Sequence, residues 1–82
     1  MPRKLCVMSG KDLCKILESY GFVLKRKVGS HCRFTLEKVG ATFHITVPMH
    51  TEIKKGTLSN IVNELEKCVD SESLEKDFYR EK

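Results

Sequence analysis

The sequence predicts an α+β fold of two layers, in the order helix, three antiparallel strands, helix. Three observations carry this. Apolar residues recur at helical spacing at Leu13, Ile16, Leu17 and Tyr20, and again at Leu58, Ile61, Val62, Leu65 and Val69. Between these stripes, three stretches alternate apolar and polar residues with the period of a half-buried strand. Glycine-containing segments separate the stretches as turns.

The elements follow in order. Met1–Met8 reads as a basic lead-in that packs as an extended arm. Ser9-Gly10-Lys11-Asp12 has the S-x-x-D form of a helix start, with the Ser9 oxygen available to the free backbone N–H groups. Gly21 supplies the left-handed residue that ends this helix. Phe22–Lys27, His31–Glu37 and Thr42–Val47 are the strands, joined by Val28-Gly29-Ser30 and Lys38-Val39-Gly40. Pro48 has no N–H to give and stops the pairing. Thr51–Gly56 reads as a loop, and Thr57 as the cap of the second helix. Ser73–Tyr79 has the makings of a short third helix, or of a frayed tail.

Strand parity decides which residues meet. The apolar sets, Phe22 and Leu24, then Cys32, Phe34 and Leu36, then Phe43, Ile45 and Val47, must share one face, because a one-residue slip would send them into water. Pairing Lys27 with His31 around a three-residue loop satisfies this. The other face then gathers Lys25, Lys27, His31, Arg33, Thr35, His44 and Thr46. Arg26 falls at the edge of the apolar face, where its stem can snorkel outward.

Composition narrows the partners. At 82 residues the chain is one domain, 1–82, with a thin core and no room for a large enclosed cofactor site. Residues 1–55 hold 11 Lys/Arg against 4 Asp/Glu, and residues 56–82 hold 4 against 7. A basic front and an acidic rear suit an anionic partner on one face. The cysteines, Cys6, Cys14, Cys32 and Cys68, form no C-x-x-C pair and no zinc-finger grouping with histidine. No metal and no cofactor is expected. The longest uncharged run, Val39–Thr51, is rich in Thr, His and Pro, so no membrane span or signal peptide is expected, and a reduced, cytoplasmic setting follows.

The chemistry centres on His31. A neutral imidazole can take the proton of a ribose 2′-hydroxyl, whose oxygen then attacks the adjacent phosphate and cuts RNA without a metal. Lys25, Lys27 and Arg33 would hold that phosphate and offset charge on its oxygens. The plain alternative is a surface histidine beside a turn. Ser30 could donate to a phosphate oxygen, although Gly-Ser is also ordinary turn chemistry. His50 reads as a second acid–base group or a loop residue, and His44 as a solvent-side strand residue. Lys54 and Lys55, near a helix start, could touch phosphate or remain solvated.

With these residues in place, the chain resembles the HicA-like toxins, messenger-RNA interferases of bacterial and archaeal toxin–antitoxin pairs. The matching pieces are Ser9–Leu13 with Leu17, Gly21-Phe22, Gly29-Ser30-His31, Val47-Pro48-x-His50, and Lys55–Leu58 with Ile61, in family order from Ser9 to Leu65. The resemblance implies a double-stranded-RNA-binding-like α-β-β-β-α fold, a catalytic His31, and a HicB-like antitoxin covering the basic face. Many relatives carry a second histidine where this chain has Cys32, which parity directs into the core. The competing readings are a non-catalytic RNA-binding module and a domain active only through its antitoxin complex.

Overall fold

A computed structural model describes residues 3–81 of the chain. The fold is α+β: β1 (Arg3–Leu5), α1 (Gly10–Ser19), β2 (Val23–Val28), β3 (His31–Lys38), β4 (Ala41–Pro48), α2 (Lys55–Leu65), α3 (Ser71–Phe78) and β5 (Tyr79–Glu81). Two compact units make it up: Met8–Ile53, and a second that joins the N-terminal stretch through Val7 to the chain from Lys54 onward.

In the first unit, α1 begins as the sequence predicts. Ser9 Oγ accepts from the Asp12 N–H at 3.0 Å, and the Asp12 carboxylate accepts from the Ser9 N–H at 3.5 Å. Its end is a Schellman motif. Gly21, at φ +101°, donates its N–H to Glu18 and Phe22 donates to Leu17, each at 3.0 Å. Leu13 and Leu17 are fully buried, and Ile16 and Tyr20 are half-buried at the margin of the stripe.

The sheet is antiparallel, in the order β2-β3-β4. Its inner face carries Cys32, Phe34, Ile45 and Val47 into the core. Helix α1 lies on that side: its Cys14 interacts with Cys32, and a Cβ on Gly21 would reach 3.5 Å from Leu36 Cδ1. Gly10 is required by close approach. A Cβ there would collide with the Pro48 carbonyl oxygen, while the Gly10 N–H donates to the His50 carbonyl at 2.9 Å.

The register between β2 and β3 corrects the predicted one. The hairpin loop has two residues, Gly29 and Ser30, and Val28 pairs with His31. Gly29 at φ +58° is followed by a residue of negative φ, the pattern of a II′ turn, whose twist matches the strands it joins. Lys27 therefore stands opposite Cys32, on the α1 side, and Arg26 stands opposite Arg33. Lys25 is an additional residue, a β-bulge, after which Leu24 returns to the side of Phe34; on this edge strand it is nonetheless 45% exposed, not buried as the alternation predicts. Only this extra residue reconciles a two-residue turn with an inward Leu24.

Two further differences have simple causes. Pro48 does not stop the pairing: it is the last residue of β4, opposite His31, and the Met49 N–H still donates to the Ser30 carbonyl at 2.6 Å. Ladder alternation makes His31 and Pro48 a non-hydrogen-bonded pair, so the proline's missing N–H lies on the free edge, where it costs nothing. At the second helix, Lys54 and not Thr57 is the N-cap, so Lys55 and Gly56 are helical rather than loop. No side chain caps this end.

The second unit is built on α2 and α3. Leu58, Ile61, Val62 and Leu65 of α2 and Leu74 and Phe78 of α3 are buried, whereas Val69, beyond the end of α2, is half-buried. Asp70 caps α3: its carboxylate accepts from the Ser73 N–H at 2.9 Å and from the Ser73 hydroxyl at 3.0 Å, which holds its pKa below the usual value. The tail is not frayed. β5 pairs antiparallel with β1, the lead-in of the sequence, through Arg3–Glu81, Lys4–Arg80 and Leu5–Tyr79. Three-residue strands carry too little pattern to be read from sequence.

Candidate nucleic-acid interface

Opposed residues of an antiparallel ladder share a face. The two registers therefore build three rows across the outer face of the sheet, the side away from α1. They are Val28–His31–Pro48, Arg26–Arg33–Thr46 and Val23–Thr35–His44. The next row along is Glu37–Thr42. The face thus runs from histidine and paired arginines through the Val23–Thr35–His44 row to the Glu37 row.

The first two rows line a shallow depression of about 220 Å³, formed by Arg26, Val28, His31, Arg33 and Thr46. His31 is exposed and lies at one end, held by two backbone devices. The tight Gly29-Ser30 turn pairs it with Val28, and the Ser30–Met49 hydrogen bond fastens the turn to the end of β4. Opposed guanidiniums within a concave surface make a site for an anion, and Arg forks match phosphate oxygens in pairs.

Of the predicted site residues, His31 and Arg33 line this depression together. Lys27 does not: it is exposed, but it faces the α1 side. Lys25 occupies the bulge beside Arg26, and Ser30 occupies the turn with its carbonyl engaged by Met49. His50 is exposed two residues beyond Pro48, with its carbonyl held by Gly10. Lys54 and Lys55 are exposed at the start of α2, in the other unit. Arg26 is the functional candidate that sequence parity missed. The signal was present: Gly at the first position of a two-residue loop selects a II′ turn, and that turn sets Arg26 against Arg33.

Cys32 lies directly behind His31 in the chain and is buried at 4% exposure, as parity requires. Beside it, the Cys14 thiol donates to Met49 Sδ at 3.7 Å. Burial, and then the neighbouring Cys32, push the Cys14 thiol from 9.0 up to about 11. These sulfurs act as packing atoms, not as nucleophiles, because a protonated thiol is a poor nucleophile.

On the outer face, Thr35 is 7% exposed, a buried polar residue. Its Oγ1 and His44 Nδ1 share a 3.1 Å hydrogen bond whose direction follows the imidazole tautomer.

No helix among the described residues is long and apolar enough to cross a membrane. No curated protein and no solved structure matches the chain. The model of the HicA toxin of bacterial toxin–antitoxin systems matches residues 10–67, which span α1, the whole sheet and α2. Helix α1 from Gly10 onward, the Gly-Ser-His hairpin and the helix at Lys55 all fall within that match, and the chain belongs to the HicA toxin family, the toxin half of a toxin–antitoxin pair.

Proposed function

We propose that this toxin is a messenger-RNA interferase: a cytoplasmic endoribonuclease that needs no metal or cofactor and is silenced by a HicB-like antitoxin. The observation that carries the reading is the adjacency of two rows, with Arg26 and Arg33 opposed directly beside His31 in one open depression. An arginine pair there can hold a phosphodiester, and His31 at its edge can reach the sugar.

The chemistry balances with these groups alone. The His31 imidazole takes the 2′-hydroxyl proton, and the 2′ oxygen forms a bond to the adjacent phosphorus. The bond from phosphorus to the 5′ oxygen breaks, and that oxygen receives a proton from the imidazolium or from water. The products are a 2′,3′-cyclic phosphate and a 5′-hydroxyl. Arg26 and Arg33 offset the charge that grows on the phosphoryl oxygens. Lys25, Lys27, the Ser30 hydroxyl and His50 belong to the same unit, and in this reading they extend the contacts to RNA outside the depression. Lys54 and Lys55, at the start of α2, are phosphate-contact candidates of their own unit. An antitoxin that covers the depression blocks both the phosphate row and the histidine.

The test is cleavage of messenger RNA by wild type and His31→Ala, each with and without a chelator. Wild type should cut in both conditions and leave a cyclic phosphate end, while His31→Ala should bind RNA and leave it intact. Loss of cutting on chelation refutes the metal-free mechanism. Binding without cutting by wild type refutes the enzyme and leaves an RNA-binding module.

A further inference from the structure

The third row of the outer face, Val23–Thr35–His44, has no role in the cleavage chemistry. Thr35 is four residues from His31 along β3, which places the row about 13 Å away at the rise of an extended strand. A general acid and a general base serving one phosphate must both reach it by hydrogen bonds of about 3 Å or through one water. His44 is therefore too distant to be the catalytic partner of His31.

Its surroundings suit a different part of the substrate. Val23 is 55% exposed and apolar, opposite Thr35 on β2. His44 is exposed on β4, with its ring tethered at one nitrogen by the Thr35 hydroxyl. The tether engages Nδ1, and the residue that carries the ring is exposed. Beyond this row Glu37 brings a negative charge, which disfavours phosphate, while Arg26 and Arg33 on the other side favour it. A phosphate therefore belongs on the arginine row. The group next to it along the strand, on a row with an apolar wall, an orienting hydroxyl and an aromatic ring, is a base.

Resting on the reading of this face as an RNA site, we infer that Val23, Thr35 and His44 form a platform for one unstacked nucleobase, next to the phosphate that Arg26 and Arg33 hold. Single-stranded RNA is read in this way elsewhere, by stacking splayed bases on aromatic rings and bonding their edges. Thr35 is a positioning residue here: its hydroxyl fixes the ring that the base meets. The toxin accordingly acts on single-stranded segments, because a base paired in a helix cannot lie on the sheet.

The platform is tested in the His31→Ala protein, with a short single-stranded oligoribonucleotide carrying 2-aminopurine at each position in turn. Stacking should quench the fluorophore at one position. His44→Ala should abolish that quench and weaken binding roughly 5- to 100-fold, the range of one base–aromatic stack. His44→Phe should retain both, since it keeps the ring. An oligonucleotide abasic at that position should bind the two proteins equally. If His44→Ala leaves quench and affinity unchanged, or weakens intact and abasic RNA alike, the platform is wrong and the Thr35–His44 bond merely ties two strands. The cleavage reading is judged separately by wild-type activity: a His44-dependent quench together with no cutting by wild type would keep the platform and remove the nuclease.

Discussion

Arg26 and Arg33 stand directly opposite each other on β2 and β3, two like charges at a cross-strand position. Such pairs oppose folding by roughly 0.2–1 kcal/mol each. Arg33→Gln should therefore raise the urea midpoint slightly, and added salt should erase the gain by screening the repulsion that it relieves. The same change should weaken RNA binding and make its salt dependence shallower by about one ion. A stability loss with unchanged RNA affinity would assign the pair a purely structural role.

Phe34 separates the two faces of the sheet. It is 1% exposed on β3, between buried Cys32 and Leu36 on the same face, while His31 and Glu37, each three residues away, are exposed. Phe34→Ala should cost about 3–5 kcal/mol through lost burial and the cavity left behind. His31→Ala should leave the unfolding curve close to wild type. Equilibrium denaturation of both variants checks the pair, and the reverse ranking would mean that the sheet is turned over.

Gly10 is a helix residue that alanine cannot improve. Alanine normally favours a helix over glycine by about 1 kcal/mol. Here the added Cβ would meet the Pro48 carbonyl oxygen and lie 2.9 Å from Met49 Cα, both backbone atoms that cannot rotate away. Gly10→Ala should destabilise by about 1–3 kcal/mol, the usual cost of overpacking. RNA cleavage should fall as well, because Pro48 is the strand partner of His31. Thermal unfolding and a cleavage assay on the same sample check both effects.

Cys14 gives a pH signature. Its thiol is raised from 9.0 to about 11, first by burial and then by Cys32. The folded state holds this proton more tightly than the unfolded state does, so the stabilisation is complete below pH 9 and is lost as pH rises from 9 through 11. Wild type should lose stability over that window more steeply than Cys14→Ala. Iodoacetamide should also modify Cys14 in the native protein at pH 8 far more slowly than in the denatured chain. Parallel pH dependence of the two proteins would refute the assignment.

Much of this fold was legible in the sequence because its signals are local. The Ser9–Asp12 box, the Gly21 stop and the strand alternation each lie within a few residues of the feature they specify. The inward Cys32 and outward His31 follow from the same alternation. The β2 register did not, because two local rules conflict there. The II′ turn at Gly29-Ser30 sets one parity, and inward Leu24 sets the other. The chain resolves the conflict by a bulge at Lys25, which moves Arg26 into the depression and Lys27 out of it. The start of α2 was misplaced for a related reason: Thr57 is a good cap, but the chain turns helical without any side-chain cap.

The pairing of β1 with β5 sets Arg3 beside Glu81. The backbone at residue 3 and at residue 81 thus forms one rung of a ladder, and each short strand is held only as long as the other stays in place. Deleting residues 3–5 therefore takes the ladder partner from Tyr79–Glu81 and should quicken amide hydrogen exchange there.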